Sequence, residues 1–286
     1  MSMFKTVTLM LVLSGLLLVA GAFFGGIPGI IMALVFSLLL NFVTYWFSDK
    51  LVLSMSHAHE VSENDDRELH QIVSEQATLA RIPKPKVYVI QSDSPNAFAT
   101  GRSPKHAAVA VTTGIQRLLT RQELGGVIAH ELAHVGNRDT LIMTVAATMA
   151  GAIAMIATIA QWSMFFGGMG GGRDDRRGGS PVALIGLLVV IIVMPLVATL
   201  VRLAISRARE YQADATGART SGQPFALADA LEKLEAGAHQ RPMKVNEGTA
   251  HLFIVNPLSA KSVGNMFSTH PPIAERAKRL RAMRSF

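Results

Sequence analysis

Apolar residues gather into four long runs, at residues 6–24, 27–47, 141–166 and 182–201, with polar stretches between them. Each run supplies about the twenty residues needed to cross a hydrocarbon core of about 30 Å at about 1.5 Å per residue. Tyr45 and Trp46 close the second run and Trp162 sits near the end of the third. Aromatic rings of this kind settle at membrane–water boundaries. Pro195 lies inside the fourth run and predicts a kink, because it removes a backbone donor and crowds the preceding turn. Ala20-Gly21-Ala22, after an apolar stretch led by Lys5, imitates a signal-peptide cleavage site. The second run follows within a turn, however, so the pair reads better as a helical hairpin. Two hairpins return the chain to its starting side, which brings residues 48–140 and 202–286 to one face of the membrane.

The polar segments carry shorter periodicities. Ser62 and the acids after it predict a capped helix running to about Ala80, and Pro83 and Pro85 end that region. Residues 86–90, 97–100 and 107–112 are β-branched or alternating and predict a small sheet. Thr120 with Glu123 has the capping-box spacing and starts a helix at about Arg121. Residues 274–284 read as a basic amphipathic helix that packs on the domain or touches lipid.

Composition sharpens this picture. Half of the 286 residues are apolar and only 16% are charged, too greasy a balance for an ordinary soluble domain. There is no cysteine, which excludes disulfides and thiolate metal sites, so any transition metal must be held by histidine and carboxylate. The net charge of +7 favours anionic lipid head groups over nucleic acid, since no basic stripe is interleaved with aromatics. Lys50, Arg138, Arg202, Arg207 and Arg209 flank the runs on the shared face, and the positive-inside rule puts that face in the cytoplasm. The loop at residues 167–180 disagrees, because Arg173, Arg176 and Arg177 would then lie outside; its glycines read as a flexible linker. The four runs hold no ionisable residue, which argues against a transporter.

The helix starting near Arg121 contains His130-Glu131-Leu132-Ala133-His134. Histidines at i and i+4 stand one turn apart on one face, so both rings can reach one Zn²⁺. Glu131 lies beside them, able to take a proton from a water held there. A catalytic zinc takes a third protein ligand and keeps one position open. The residues alone leave Asp139, Glu210, Asp214, His239, His251 and His270 as candidates for it. His57, His59 and Glu60 have metal-like spacing too, but sit at the membrane boundary.

The zinc helix ahead of a hydrophobic hairpin, followed by Glu210-Tyr211-Gln212-Ala213-Asp214, resembles the HtpX family of membrane-bound zinc endopeptidases, relatives of the proteases that trim prenylated CAAX proteins. Asn96-Ala97-Phe98-Ala99 and Thr269-His270-Pro271-Pro272 extend the resemblance over nearly the whole chain. It implies that Glu210 is the third zinc ligand and that His270, near the metal, stabilises the oxyanion. The spacing agrees: Glu210 and Asp214 are i and i+4, so one can bind metal while the other accepts a proton from a zinc histidine. Arg207 and Arg209 are placed to balance the charge, and Tyr211 is a second oxyanion candidate. Residues Asn96, Ala97, Phe98 and Ala99 would bind an extended substrate as an exposed strand edge.

The expected protein is thus an α+β zincin-like catalytic domain, mainly helical with a small sheet, combined with four transmembrane helices. Residues 1–47 form the first hairpin, 48–140 the first catalytic part, 141–201 the second hairpin and 202–286 the second catalytic part. One Zn²⁺ per subunit and Glu131 would cleave membrane proteins at cytoplasmic or juxtamembrane segments. The resemblance further implies a multi-pass protein of a bacterial inner membrane. It would serve stress response and quality control, removing misfolded membrane proteins alongside other proteases.

Overall fold

The structure is a computed structural model of the chain and describes residues 2–149, 206–243, 249–255 and 271–283. Its first element, α1 (Ser2–Met55), is two helices joined at Gly26, whose backbone (φ 54, ψ −139) is open to glycine alone without strain. The limbs fold back on each other as the hairpin reading expects. Gly21 and Gly29 meet backbone to backbone, and a Cβ on either would collide with the other's carbonyl. Further along the seam the Asn41 amide donates to the Ser14 hydroxyl at 2.8 Å, an interhelical hydrogen bond suited to an apolar surround. The second limb, Gly25–Met55, has 31 residues and a mean hydropathy of 2.2, and among the described residues it is the one helix long and apolar enough to cross a membrane. Thr6–Val19 is a shorter apolar helix.

One expectation changes here. The second run was expected to end at Phe47, yet the helix continues to Met55, because Val52 and Leu53 are buried against the polar domain. Of the third run, only the helix Thr140–Met149 is described. Its remainder, the loop at 167–180 and the fourth run with Pro195 lie outside the described residues.

Four strands form one mixed sheet in the order β1-β2-β4-β3. β2 (Lys86–Ile90) and β4 (Ala107–Thr112) run parallel at the centre; β1 (Ala58–Glu60) and β3 (Ala97–Gly101) are antiparallel edges. β1 was not expected. It turns His59 and Glu60 into exposed edge residues, with Glu60 held by Lys86 at 2.9 Å and by the Tyr88 hydroxyl at 3.0 Å, rather than into a metal site. Strand alternation gives the sheet two buried faces. Val87, Val89, Val109 and Val111 pack on α2 (Arg67–Leu79) and on α4 (Arg121–Gly136). Ile90, Phe98, Ala108 and Ala110 pack instead on Val52 and Leu53 of α1, on Leu141 and Val145 of α5 (Thr140–Met149), and on Phe253.

Ser62 does not cap α2. It closes a turn with Asp65 (2.6 and 2.9 Å), and Asp66 accepts the Leu69 amide instead, because its carboxylate sits one residue before the helix. A short α3 (Thr113–Leu118) follows β4. On the far side of the undescribed segment, α6 (Arg207–Ser221) ends at Gly222 in the left-handed region (φ 69), and α7 (Pro224–Gln240) starts on its proline. The last helix is α8 (Ile273–Arg281).

α6 crosses α4 where Gly217 lies on His130: a Cβ there would sit 2.8 Å from the His130 nitrogen and 2.9 Å from its Cα. Both partners are backbone, so the helices must part to admit a methyl group. Gly217→Ala is expected to lower unfolding stability by about 1–3 kcal/mol and to weaken metal uptake, checked by thermal unfolding and by metal titration of the detergent-solubilised protein.

Candidate metal centre

α4 begins as the sequence predicts. The Thr120 hydroxyl accepts the Glu123 amide (3.4 Å), and the Glu123 carboxylate accepts the Thr120 amide (2.9 Å). Lys233 of α7 binds that carboxylate at 2.7 and 2.9 Å, tying the start of α4 to its neighbour. From Glu123 to Val135 every residue of α4 is buried, so the two histidines lie inside the molecule. Their rings stand 4.9 Å apart and nearly perpendicular.

α6 delivers Glu210 to them. Its carboxylate oxygens lie 3.4 Å from His134 Nε2 and 3.8 Å from His130 Nε2. One ligand atom from each of the three residues lies within 4.8 Å of the others, and all three residues are buried. A four-coordinate ion with bonds of about 2.0–2.1 Å holds its ligands about 3.3 Å apart. Three buried donors that converge at this spacing, beyond good hydrogen-bond length, fit one divalent cation. The outer ring nitrogens fit as well: His130 Nδ1 lies 3.0 Å from Asp214 and His134 Nδ1 lies 3.6 Å from Asp139. A proton held toward those carboxylates leaves each Nε2 lone pair directed at the centre.

Of the other candidate third ligands, Asp139 faces the back of His134 and Asp214 the back of His130. His239 is exposed and bonded to the Glu235 carbonyl of its own helix. His270 lies outside the described residues. Tyr211 is not at the centre in this arrangement; its ring is stacked under the Arg279 guanidinium at 3.8 Å.

The counter-charge comes from a residue the sequence reading overlooked. Arg276 of α8 is fully buried and grips Asp214 with two bonds, of 2.8 and 2.7 Å, while another of its nitrogens lies 3.6 Å from Glu210. Of the two arginines expected to balance the charge, Arg207 is exposed, and Arg209 reaches Asp139 rather than Glu210 or Asp214, at 3.6 Å. The signal was present. The buried positions of α8 are Ile273, Arg276, Ala277 and Leu280, an apolar stripe at helical spacing interrupted by one arginine.

Glu131 is buried, and its Oε2 accepts the Ala99 amide of β3 at 2.9 Å. Burial pushes its carboxyl up to about 8 in the metal-free chain, with His134, the Ala99 amide and Arg276 opposing and Glu210 reinforcing. For Asp214 burial also acts against ionisation, but Arg276 and His130 hold it far below the usual carboxylate range. His130 is lowered, chiefly by burial, and so stays neutral. His134 meets the same burial, yet Asp139, Glu210 and Glu131 push it up to about 10.

The four residues expected to bind substrate divide in two. Asn96 and Phe98 turn their side chains fully inward. The Asn96 amide donates to the Val255 carbonyl (2.7 Å), and Phe98 meets Phe253 edge to face at 5.1 Å. Ala97 and Ala99 turn backbone away from β4, but that edge is buried and bonded rather than exposed as expected: the Ala97 carbonyl accepts the Ile254 amide (3.1 Å) and the Ala99 amide donates to Glu131.

A helical domain with a small mixed sheet, an apolar anchor and a two-histidine, one-glutamate centre defines a membrane-associated metallo-endopeptidase, a hydrolase of peptide bonds. The chain belongs to peptidase family M48, whose family model matches residues 63–284. It is 51% identical to the "Protease HtpX homolog" of Desulfatibacillum aliphaticivorans, covering 98% of this chain and 89% of that one. It is 52% identical to the one of Aquifex aeolicus, covering 93% and 88%, and the resemblance to the HtpX family is borne out. Among solved structures, S. mikatae Ste24p shares the fold at a TM-score of 0.51 and 20% identity, over 97% of this chain; this chain spans 65% of its length.

Two outcomes follow. Arg276→Ala leaves the Asp214 charge buried and uncompensated and is expected to cost about 3–5 kcal/mol in thermal unfolding, with partial recovery in Arg276→Lys. Because His134 carries a proton at pH 7 in the metal-free chain and must lose it to bind an ion, while the raised Glu131 carboxyl is also driven to ionise beside a cation, metal uptake should release at least the His134 proton and strengthen as pH rises. Calorimetry in buffers of different ionisation enthalpy counts that proton.

Proposed function

We propose that this protein is a zinc-dependent endopeptidase that cleaves membrane proteins at cytoplasmic or juxtamembrane segments. The observation that carries the reading is the convergence of His130, His134 and Glu210 on one buried point with Glu131 alongside. Nitrogen and carboxylate donors without sulfur, three in number, suit a catalytic zinc, one per subunit. Such an ion supplies Lewis-acid chemistry, lowering the pKa of water and polarising the scissile carbonyl.

The chain's own residues do the rest. Glu131 accepts the proton of the attacking water on its carboxylate and returns it to the leaving amine. A buried carboxyl has the basicity for both transfers, and neighbouring cationic charge keeps it ionised for the first. Asp214, fixed by Arg276, orients His130 from 3.0 Å, while Asp139 lies behind His134 at 3.6 Å, longer than a hydrogen bond, and offers it a charge. For an extended peptide the proposed place is the outer edge of β3 beside Glu131, where it would have to displace the Ile254 amide from the Ala97 carbonyl and the Glu131 carboxylate from the Ala99 amide. For His270 the proposed role is to stabilise the oxyanion, on its place in the sequence. No covalent acyl-enzyme is involved.

The finer placement also belongs to this proposal: a multi-pass protein of a bacterial inner membrane with the domain in the cytoplasm, acting on misfolded membrane proteins. The cytoplasmic side rests on the basic residues that flank the apolar runs.

Glu131→Gln should lower casein cleavage by at least about 10²-fold while zinc content stays at the wild-type level. Glu210→Ala should lose bound zinc and activity together. Elemental analysis beside the cleavage assay reads both, and undiminished cleavage by Glu131→Gln would remove Glu131 from the mechanism. A chelator should abolish cleavage, with zinc restoring it.

A further inference from the structure

β3 connects the candidate centre to the membrane boundary. On the second limb of α1 the exposed apolar residues end at Trp46 and Phe47, and the first charges after them are Asp49 and Lys50. Trp46 packs with Phe42 and Tyr45, and Lys50 lies over Phe47, which together make an interfacial belt at this level. Arg102, the residue after β3, is fastened to that belt. Its guanidinium lies 4.8 Å over the Trp46 ring and donates to the Trp46 carbonyl at 3.3 Å. A second tie sits two residues earlier, where the buried Thr100 hydroxyl meets the Thr144 hydroxyl of α5 at 2.9 Å. The other end of the strand leads to Glu131. Its outward amide at Ala99 is three residues from Arg102, or about 10 Å at about 3.3 Å per residue.

We propose that β3 acts as a ruler for membrane-anchored substrates: pegged to the bilayer surface through Arg102 and Trp46, it sets the least separation between a substrate's apolar anchor and the bond that is cut. The proposal rests on the peptidase reading above, with β3 as the substrate edge. An extended chain spans at most about 3.3–3.6 Å per residue, so a bond fewer than about three residues from its anchor cannot reach Glu131. Bonds farther out arrive with slack. Their effective concentration at the site falls roughly as the −3/2 power of tether length. The substrate class is therefore a polypeptide held by an apolar helix and cut just beyond it. Arg102, Trp46 and Thr144 are positioning residues.

The test uses the full chain with zinc in lipid nanodiscs. Substrates carry one apolar helix, a Gly-Ser spacer of zero, four or sixteen residues, and one fixed casein segment; mass spectrometry maps the cuts, and soluble casein is assayed in parallel. With no spacer, no cut is expected closer than about three residues to the helix. Between four and sixteen spacer residues the rate should fall about eightfold. Arg102→Ala should spread the cut positions and Arg102→Lys should restore them, whereas a merely structural role would slow all substrates alike without moving a cut. If Arg102→Ala does not fold, the wild-type spacer series decides alone. Cuts at the first or second bond past the helix, or equal rates at both spacers, overturn the ruler and leave the peptidase standing. Loss of soluble casein cleavage as well overturns both.

Discussion

The close crossing of α4 and α6 is the constraint on which the site depends. His130 and Glu210 come from opposite sides of an apolar stretch of chain, and only the approach of two helix backbones at Gly217 brings them within bonding range of one ion. A helix pair separated by ordinary side chains stands at about 8–10 Å between axes; a glycine at the contact permits the near edge of that range. The devices around the crossing serve it. The Thr120–Glu123 box and Lys233 fix the start of α4, while Gly222 and Pro224 turn the chain so that α7 backs α4 directly.

That crossing gathers charge where water is excluded. Glu131, Glu210, Asp214 and Asp139 surround two imidazoles in a space where an unpaired carboxylate would cost several kcal/mol. Arg276 answers for Asp214, His134 takes up a proton between Asp139 and Glu210, and a divalent cation would replace that proton. A well-packed apolar core would be at least as stable as this arrangement. Buried ionisable groups that instead push one another's proton affinities apart are what acid–base chemistry requires.

What the sequence made legible was local. The i, i+4 histidines, the capping box, the three strand runs and the turn between the first two apolar runs are each specified by residues within a few positions of one another, and the structure contains each of them. What it hid depends on partners distant in the chain. Asp66 and Ser62 compete for the same helix start, and the choice depends on which carboxylate sits at the N-cap. β1 has three residues and gains its identity from pairing with β2. α1 outruns its apolar stretch because Val52 and Leu53 find a sheet to pack on. Arg276 looked like one more cation on a basic helix until the position of the apolar stripe showed that it points inward.

The sheet joins the chemistry to the bilayer. One face is built with valine against the helices that carry the site. The other is built with alanine at Ala108 and Ala110, which lets the end of α1 and the start of α5 approach closely. No flexible linker separates the membrane helix from β1, since the second limb of α1 continues past Trp46 to Met55 and β1 follows after two residues. A rigid helix, a sheet packed on it and an edge strand tied to both leave the centre little freedom in height above the membrane. Depth relative to lipid thus becomes part of the site's geometry in the same sense as the spacing of its ligands. A packing change on the alanine face of the sheet should reach the chemistry without touching any residue that performs it.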